Sequence, residues 1–142
     1  MKTYAPKASE IERKWHLIDA SGQTLGRMCT QIAKLLIGKH KAMFAPNTDT
    51  GDFVVVINAE RIKVHPKKIE GKVYRKWSGY PGGLHTRTFA EQLRRNPTKI
   101  ILDAVRRMLP KTTMGAAMLH KLKVYKGPEH RHQAQNPQKI DI

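Results

Sequence analysis

This sequence is short of cysteine, of acids, of aromatics and of long apolar runs, and each shortage closes off a class of protein. Of its 142 residues one is cysteine, Cys29. No internal disulfide can form, and a lone thiol suits a reducing compartment. Cys29 lies inside an apolar helical pattern, which predicts a buried, inert thiol rather than a nucleophile. No segment reaches the length needed to span a bilayer, and no apolar run follows Met1–Lys7. Neither a membrane partner nor a secretory signal is expected, and the expected compartment is the cytoplasm. Acids number 11, too sparse to nominate a paired-carboxylate site. No Ser/His/acid or Cys/His set has motif context, and the 7 histidines are scattered. Catalysis therefore finds no support, and no cofactor, catalytic residue or small-molecule substrate is expected. Asp49 and Asp52 lack further ligand spacing and read as turn and capping groups; His130 and His132 lack further ligands too, so no metal is expected.

What the chain has in abundance is positive charge. Its 27 Lys and Arg give a formal net charge of +16. Such a chain repels itself when alone and makes physical sense against a polyanion, of which nucleic acid is the obvious one. At this length, with 39% hydrophobic residues, it fits a single domain (1–142) with a real core.

The apolar pattern supplies the framework. Trp15–Asp19 reads as a first strand and Thr24 to Ile37 as a helix, with Leu25, Met28, Ile32, Leu35 and Leu36 on one face and Gly38 as its stop. The intervening turn is not a phosphate loop: Gly22 and Gly26 are four apart and Arg27-Met28 follows, where a P-loop needs five and Lys-Ser/Thr. Phe53–Ala59 is continuously apolar, as in a parallel strand covered on both faces. Thr88-Phe89-Ala90-Glu91 has capping-box spacing. Asn96 caps and Pro97 starts a helix whose apolar face is Ile100, Ile101, Ala104, Val105, Met108 and Leu109, and Pro110 ends it. A small-residue segment and a basic strand follow, through Gly127. Residues 1–14 read as an arm, 15–127 as an α/β body with basic loops, and 128–142 as an extended tail rather than a packed element.

The cations cluster. Gly38-Lys39-His40-Lys41 sits at a helix end, and the loop Ala42–Asp52 after it is long enough to be functional or laid on a partner. Arg61 to Arg87 holds eight cations against Glu70 alone. Within that stretch Lys72–Trp77 alternates like a strand, and Ser78–Gly83 is a glycine-rich turn. Lys and Arg neutralise phosphates, glycines allow close approach, and Tyr74, Trp77 and Tyr80 can stack on unpaired bases. The candidate phosphate contacts are Lys39, Lys41, Lys67, Lys68, Arg75, Lys76, Arg106, Arg107, Lys111, Lys121 and Lys123. His40, His130 and His132 join them as candidate RNA contacts, Trp77 and Tyr80 as stacking groups, and Gly82 and Gly83 as close-approach positions. Removing Lys41 or Arg107 is expected to flatten the salt dependence of binding by about one unit.

Several segments resemble the universal large-subunit ribosomal protein family L-thirteen in its bacterial form. They are Asp19–Arg27, Gly38–Lys41, Asn47–Asp52, Ser78–Gly83, and Val105–Pro110 continuing through Gly115 to Leu122–Gly127; the tail at Asn136-Pro137-Gln138 is similar too. The resemblance implies a three-layer α/β/α fold around a small, about four-stranded, mainly parallel sheet. It also implies large-subunit ribosomal RNA and neighbouring ribosomal proteins as partners, an early structural role in assembly, and no catalysis. Ala116, where the family commonly has a basic residue, and Arg131, between His130 and His132, depart from its pattern. The rival expectations are a general nucleic-acid-binding protein and a small α/β enzyme on a phosphorylated substrate.

Overall fold

The computed structural model describes residues 4–141. Its centre is a four-stranded sheet of β1 (Trp15–Asp19), β2 (Phe53–Ile57), β5 (Leu122–Val124) and β6 (Gln138–Lys139), in the order β5-β2-β1-β6. All three pairings are parallel. β2 is central, and Val54, Val55 and Val56 are all buried, which accounts for a run with no polar alternation.

The topology decides what covers each face. The chain steps from β1 to β2 to β5 in one direction and then returns to the far edge at β6. With right-handed crossovers, everything between β1 and β5 falls on one face and the return path on the other. The helical face carries Ile18, Val54 and Val56, which join one hydrophobic cluster with Met28, Ile32 and Leu36 of α1 (Leu25–Ile37) and Ile100, Ile101 and Val105 of α4 (Pro97–Met108). On the other face the Trp15 and Phe53 rings stack at 4.4 Å, and His132 lies 5.0 Å from Trp15. The arrangement is thus a three-layer α/β fold whose second cover, residues 125–137, contains no helix. The tail is extended as expected, but it is packed: it crosses the sheet and pairs His16 with Gln138 and Leu17 with Lys139. Two backbone pairings and aromatic contacts, rather than an apolar run, hold it there.

The helix boundaries follow from their caps. Gly38 is left-handed at φ 86°, and its N–H donates to the Lys34 and Leu35 carbonyls. A Cβ there would also collide with Thr50. The Asn96 side chain accepts from Lys99 N–H with Pro97 in the first turn, and Leu109 is already extended (ψ 157°) ahead of Pro110. α3 (Phe89–Arg95) has both halves of the Thr88/Glu91 capping box. Met108, at the end of the apolar face of α4, is exposed.

Four further elements lie outside these. α2 (Pro66–Gly71) is capped by His65, which accepts from Lys67 N–H. β3 (Val73–Trp77) pairs with β4 (Leu84–Thr88) as an antiparallel hairpin outside the main sheet. α5 (Thr113–His120) takes up the small-residue segment. Among the described residues no helix is long and apolar enough to cross a membrane.

Candidate nucleic-acid interface

An open groove of about 1080 Å³ lies between the hairpin, α4, α5 and β5. Its lining includes Arg75 and Lys76 from β3, Lys99, Arg106 and Arg107 from α4, Lys111 after Pro110, and Lys123 from β5. Asp103 is the one acid among the described lining residues. Each element brings its cations there for a local reason. The buried stripe of α4 faces the core, so Lys99, Arg106 and Arg107 fall on the outer side of the cylinder. Pro110 turns the chain, and Thr112 caps α5 by accepting from Gly115 N–H. Gly115 is required by close approach, since a Cβ on it would collide with the Pro110 carbonyl. Ala116 lines the same groove. Like charges held this close repel one another unless a polyanion sits between them.

Six of the candidate phosphate contacts, Arg75, Lys76, Arg106, Arg107, Lys111 and Lys123, therefore meet in one place. Lys39, Lys67 and Lys68 are exposed but lie outside that lining. Lys41 and Lys121 are committed inward. Lys41 Nζ donates to Asp52 Oδ1 and to the Glu12 and Thr50 carbonyls. Lys121, 6% exposed, donates to Asp49 Oδ1 and the Leu36 carbonyl. Burial pulls the Lys121 ammonium below its usual range, while Asp49 opposes that shift. The two lysines sit in basic stretches, but each finds an acid that sequence order does not place beside it.

Asp52 is the hub of this second cluster. It accepts from Lys14 N–H and Lys41 Nζ on Oδ1, while His16 Nε2 and His40 Nε2 lie 3.1 and 2.8 Å from Oδ2. Burial works against its charged form. The hydrogen bonds from His16, Lys41 and Lys14 N–H, and the charge of Lys41, outweigh it and hold the carboxyl well below its ordinary range. His16, His40 and Asp52 converge closely enough to ligate a cation, but the Lys41 ammonium already balances the carboxylate. Asp49 does form the expected turn, accepting from Gly51 N–H. Asp52 does more than cap: it ties the 39–52 loop back onto the body, with its own N–H on the Leu35 carbonyl. The loop expected to be functional or laid on a partner is thus tied at its ends to its own chain.

Other candidates separate in the same way. Trp77 and Tyr80 stand out at the hairpin tip, 67% and 75% exposed. Tyr74 turns inward against Phe89 (6.5 Å), and burial pushes its hydroxyl up to about 12, so it is not free to stack on a base. Gly82 holds a positive φ of 72°, and a Cβ on Gly83 would collide with Ser78 Oγ. Both shape the turn itself. His132 packs toward Trp15 and Tyr125, and its N–H donates to His130 Nδ1. The pair expected to contact RNA thus belongs partly to the cover of the second sheet face. Cys29 is buried, and burial raises its thiol to about 12, as an inert core cysteine requires. Lys99 was missed as a groove residue; its place on the outer face of α4, one turn before Asp103, was the available signal.

Compared with known proteins, this sequence falls among the ribosomal proteins, a structural and non-enzymatic class. The model of the family described as ribosomal protein L13 matches residues 13–131. The chain belongs to the ribosomal protein L13 family. It is 56% identical over 142 residues, 100% of this chain and 99% of the relative, to the large ribosomal subunit protein uL13 of Aquifex aeolicus (strain VF5). It is 51% identical over 142 residues to the uL13 of Syntrophus aciditrophicus (strain SB), covering 100% of both chains. To that of Thermotoga maritima it is 51% identical over 141 residues, 99% of this chain and 95% of the relative. In bacteria the family works in the ribosome, in the cytoplasm.

Proposed function

We propose that this chain is a structural constituent of the large ribosomal subunit that binds folded large-subunit ribosomal RNA through the groove, early in subunit assembly, beside neighbouring ribosomal proteins. The observation that carries this is the meeting of Arg75, Lys76, Lys99, Arg106, Arg107, Lys111 and Lys123 around one concavity with Asp103 alone opposing them. The name of its relatives, large ribosomal subunit protein uL13, supports the choice of subunit. A helix C-terminus favours cations, and Arg106 and Arg107 stand in the last turn of α4. The mechanism is electrostatic and geometric: the body fixes the cations, and the RNA backbone releases counterions as it docks.

The test is equilibrium binding of the full chain to large-subunit ribosomal RNA across a salt series. Arg106→Ala and Arg107→Ala should each weaken binding and flatten the slope of log K against log salt by about one unit. A double variant with an unchanged slope removes the groove from the footprint. Equal affinity for duplex DNA and unrelated RNA at matched salt would make the chain a general binder instead. Early entry predicts that the protein is already present in the lightest large-subunit precursors after pulse labelling.

A further inference from the structure

The β3–β4 hairpin is largely exposed, and its two faces differ. Cross-strand register sets Trp77 opposite Leu84, Arg75 opposite Thr86 and Val73 opposite Thr88. Because side chains alternate along a strand, Val73, Arg75, Trp77 and Leu84 share one face. Val73, Trp77 and Leu84 are all exposed there, while Tyr74 on the opposite face packs against Phe89. The tip is firmly built. Trp77 Nε1 donates to the Tyr80 carbonyl at 3.1 Å, Ser78 N–H to the Gly83 carbonyl and Gly83 N–H to the Tyr80 carbonyl, both at 3.0 Å. Two flat rings are thus presented on an ordered turn, so little freedom is lost when something stacks on them.

Charge identifies the occupant. From Lys72 to Ala90 the chain carries Lys72, Arg75, Lys76, His85 and Arg87 and no acid. A protein seated here would have to be both acidic and apolar. An unstacked nucleotide brings a negative phosphate and a flat base in one unit. A fully paired helix offers phosphates only, since its base faces are covered by their neighbours. Arg75 and Lys76, which line the groove, immediately precede Trp77, so the ring stands at the end of the groove's cationic track.

We propose that the hairpin tip is a nucleobase-stacking site, in which Trp77, with Tyr80 beside it, takes an unpaired nucleotide adjoining the helical RNA whose phosphates lie in the groove. The chain then recognises a helix bearing a looped-out nucleotide in preference to a uniform duplex. This rests on the RNA-binding role of the groove and adds a second point of contact to it.

The experiment is a cycle of two proteins and two RNAs, using the full chain. One RNA is a large-subunit ribosomal fragment with an unpaired nucleotide beside a stem; the other is identical except that this nucleotide is abasic, keeping the phosphate. Wild-type protein should bind the abasic RNA roughly tenfold more weakly. Trp77→Ala should lose about the same factor on the base-bearing RNA and nothing further on the abasic one. Trp77→Phe, which keeps a ring, should retain most of the preference, so a folding defect in the alanine variant is separable from lost stacking. A wild-type protein that binds both RNAs equally overturns the stacking site and leaves the groove standing. Equal weakening on both RNAs by Trp77→Ala and by Tyr80→Ala also overturns it. Unchanged RNA preference with loss of the variant from the subunit overturns it in favour of a protein contact. If wild-type protein binds neither RNA, the groove reading fails first.

Discussion

The cluster around Asp52 and the groove beside α4 draw on the same cationic residue types and arrange them in opposite ways. At Asp52, Lys41 and two histidines close around a buried carboxylate, and nearby the buried Lys121 is paired with the half-buried Asp49. In the groove, Arg106, Arg107, Lys111 and Lys123 face outward with little to neutralise them. The difference lies in the acids. A lysine in a basic stretch becomes a structural pin when the fold brings a carboxylate within reach, and stays open to a ligand when it does not. Local charge density does not decide between these outcomes.

The comparison is broken most forcefully at its hub. Asp52→Asn leaves Lys41 and the surrounding donors without their counter-charge, and should cost about 3–5 kcal/mol of stability by urea unfolding. Because the folded Asp52 carboxyl is held below its unfolded value, its contribution is whole above about pH 4 and lost as pH falls through the folded value. The stability gap between wild type and Asp52→Asn should therefore stay level near neutrality and narrow on acidification below about pH 4. A gap that widened in acid would contradict the paired carboxylate.

A smaller effect sharpens the contrast between the two regions. Lys41→Ala should lose about 2 kcal/mol of stability and leave the salt slope of RNA binding unchanged, because its ammonium is already partnered. Arg107→Ala should do the reverse, changing stability by no more than about 0.5 kcal/mol and flattening the slope by about one unit. Finding both variants alike in slope would mean that Lys41 releases Asp52 when RNA arrives. The smallest signal comes from Cys29: in mildly alkaline buffer a thiol reagent should label it only as fast as the protein opens, and faster in Asp52→Asn.

Elements with strong periodicity and caps were legible in the sequence. β1, α1 and α4 lie within a residue or two of where apolar spacing, Gly38, Asn96 and Pro110 put them. β4 was not legible, since Leu84-His85-Thr86-Arg87-Thr88 has one apolar side chain and owes its strand to pairing with β3. β6 is shorter still and exists only because β1 offers an open edge. For the groove, the sequence supplied its cations but not their convergence, which depends on how β3, α4 and β5 pack. Nor did it show the inward pairing of Lys121, since Asp49 lies 72 positions away in the chain. Trp77 and Tyr80 were legible as turn aromatics, and only the fold separated them from Tyr74.

The return of the chain to β1 has a consequence for the order of folding. Residues 16–17 receive their second neighbour from residues 138–139, so the sheet is closed by a contact between distant parts of the chain. Until that segment arrives, β1 has a bare edge of unpaired backbone groups, and the Trp15–Phe53 stack lacks the His132 ring beside it. Such a contact forms late, because the loop it closes is long and offers no reward until its ends meet. The helical face can condense first; the second face is a latch that engages afterwards, and a partially made chain carries an adhesive strand until it does.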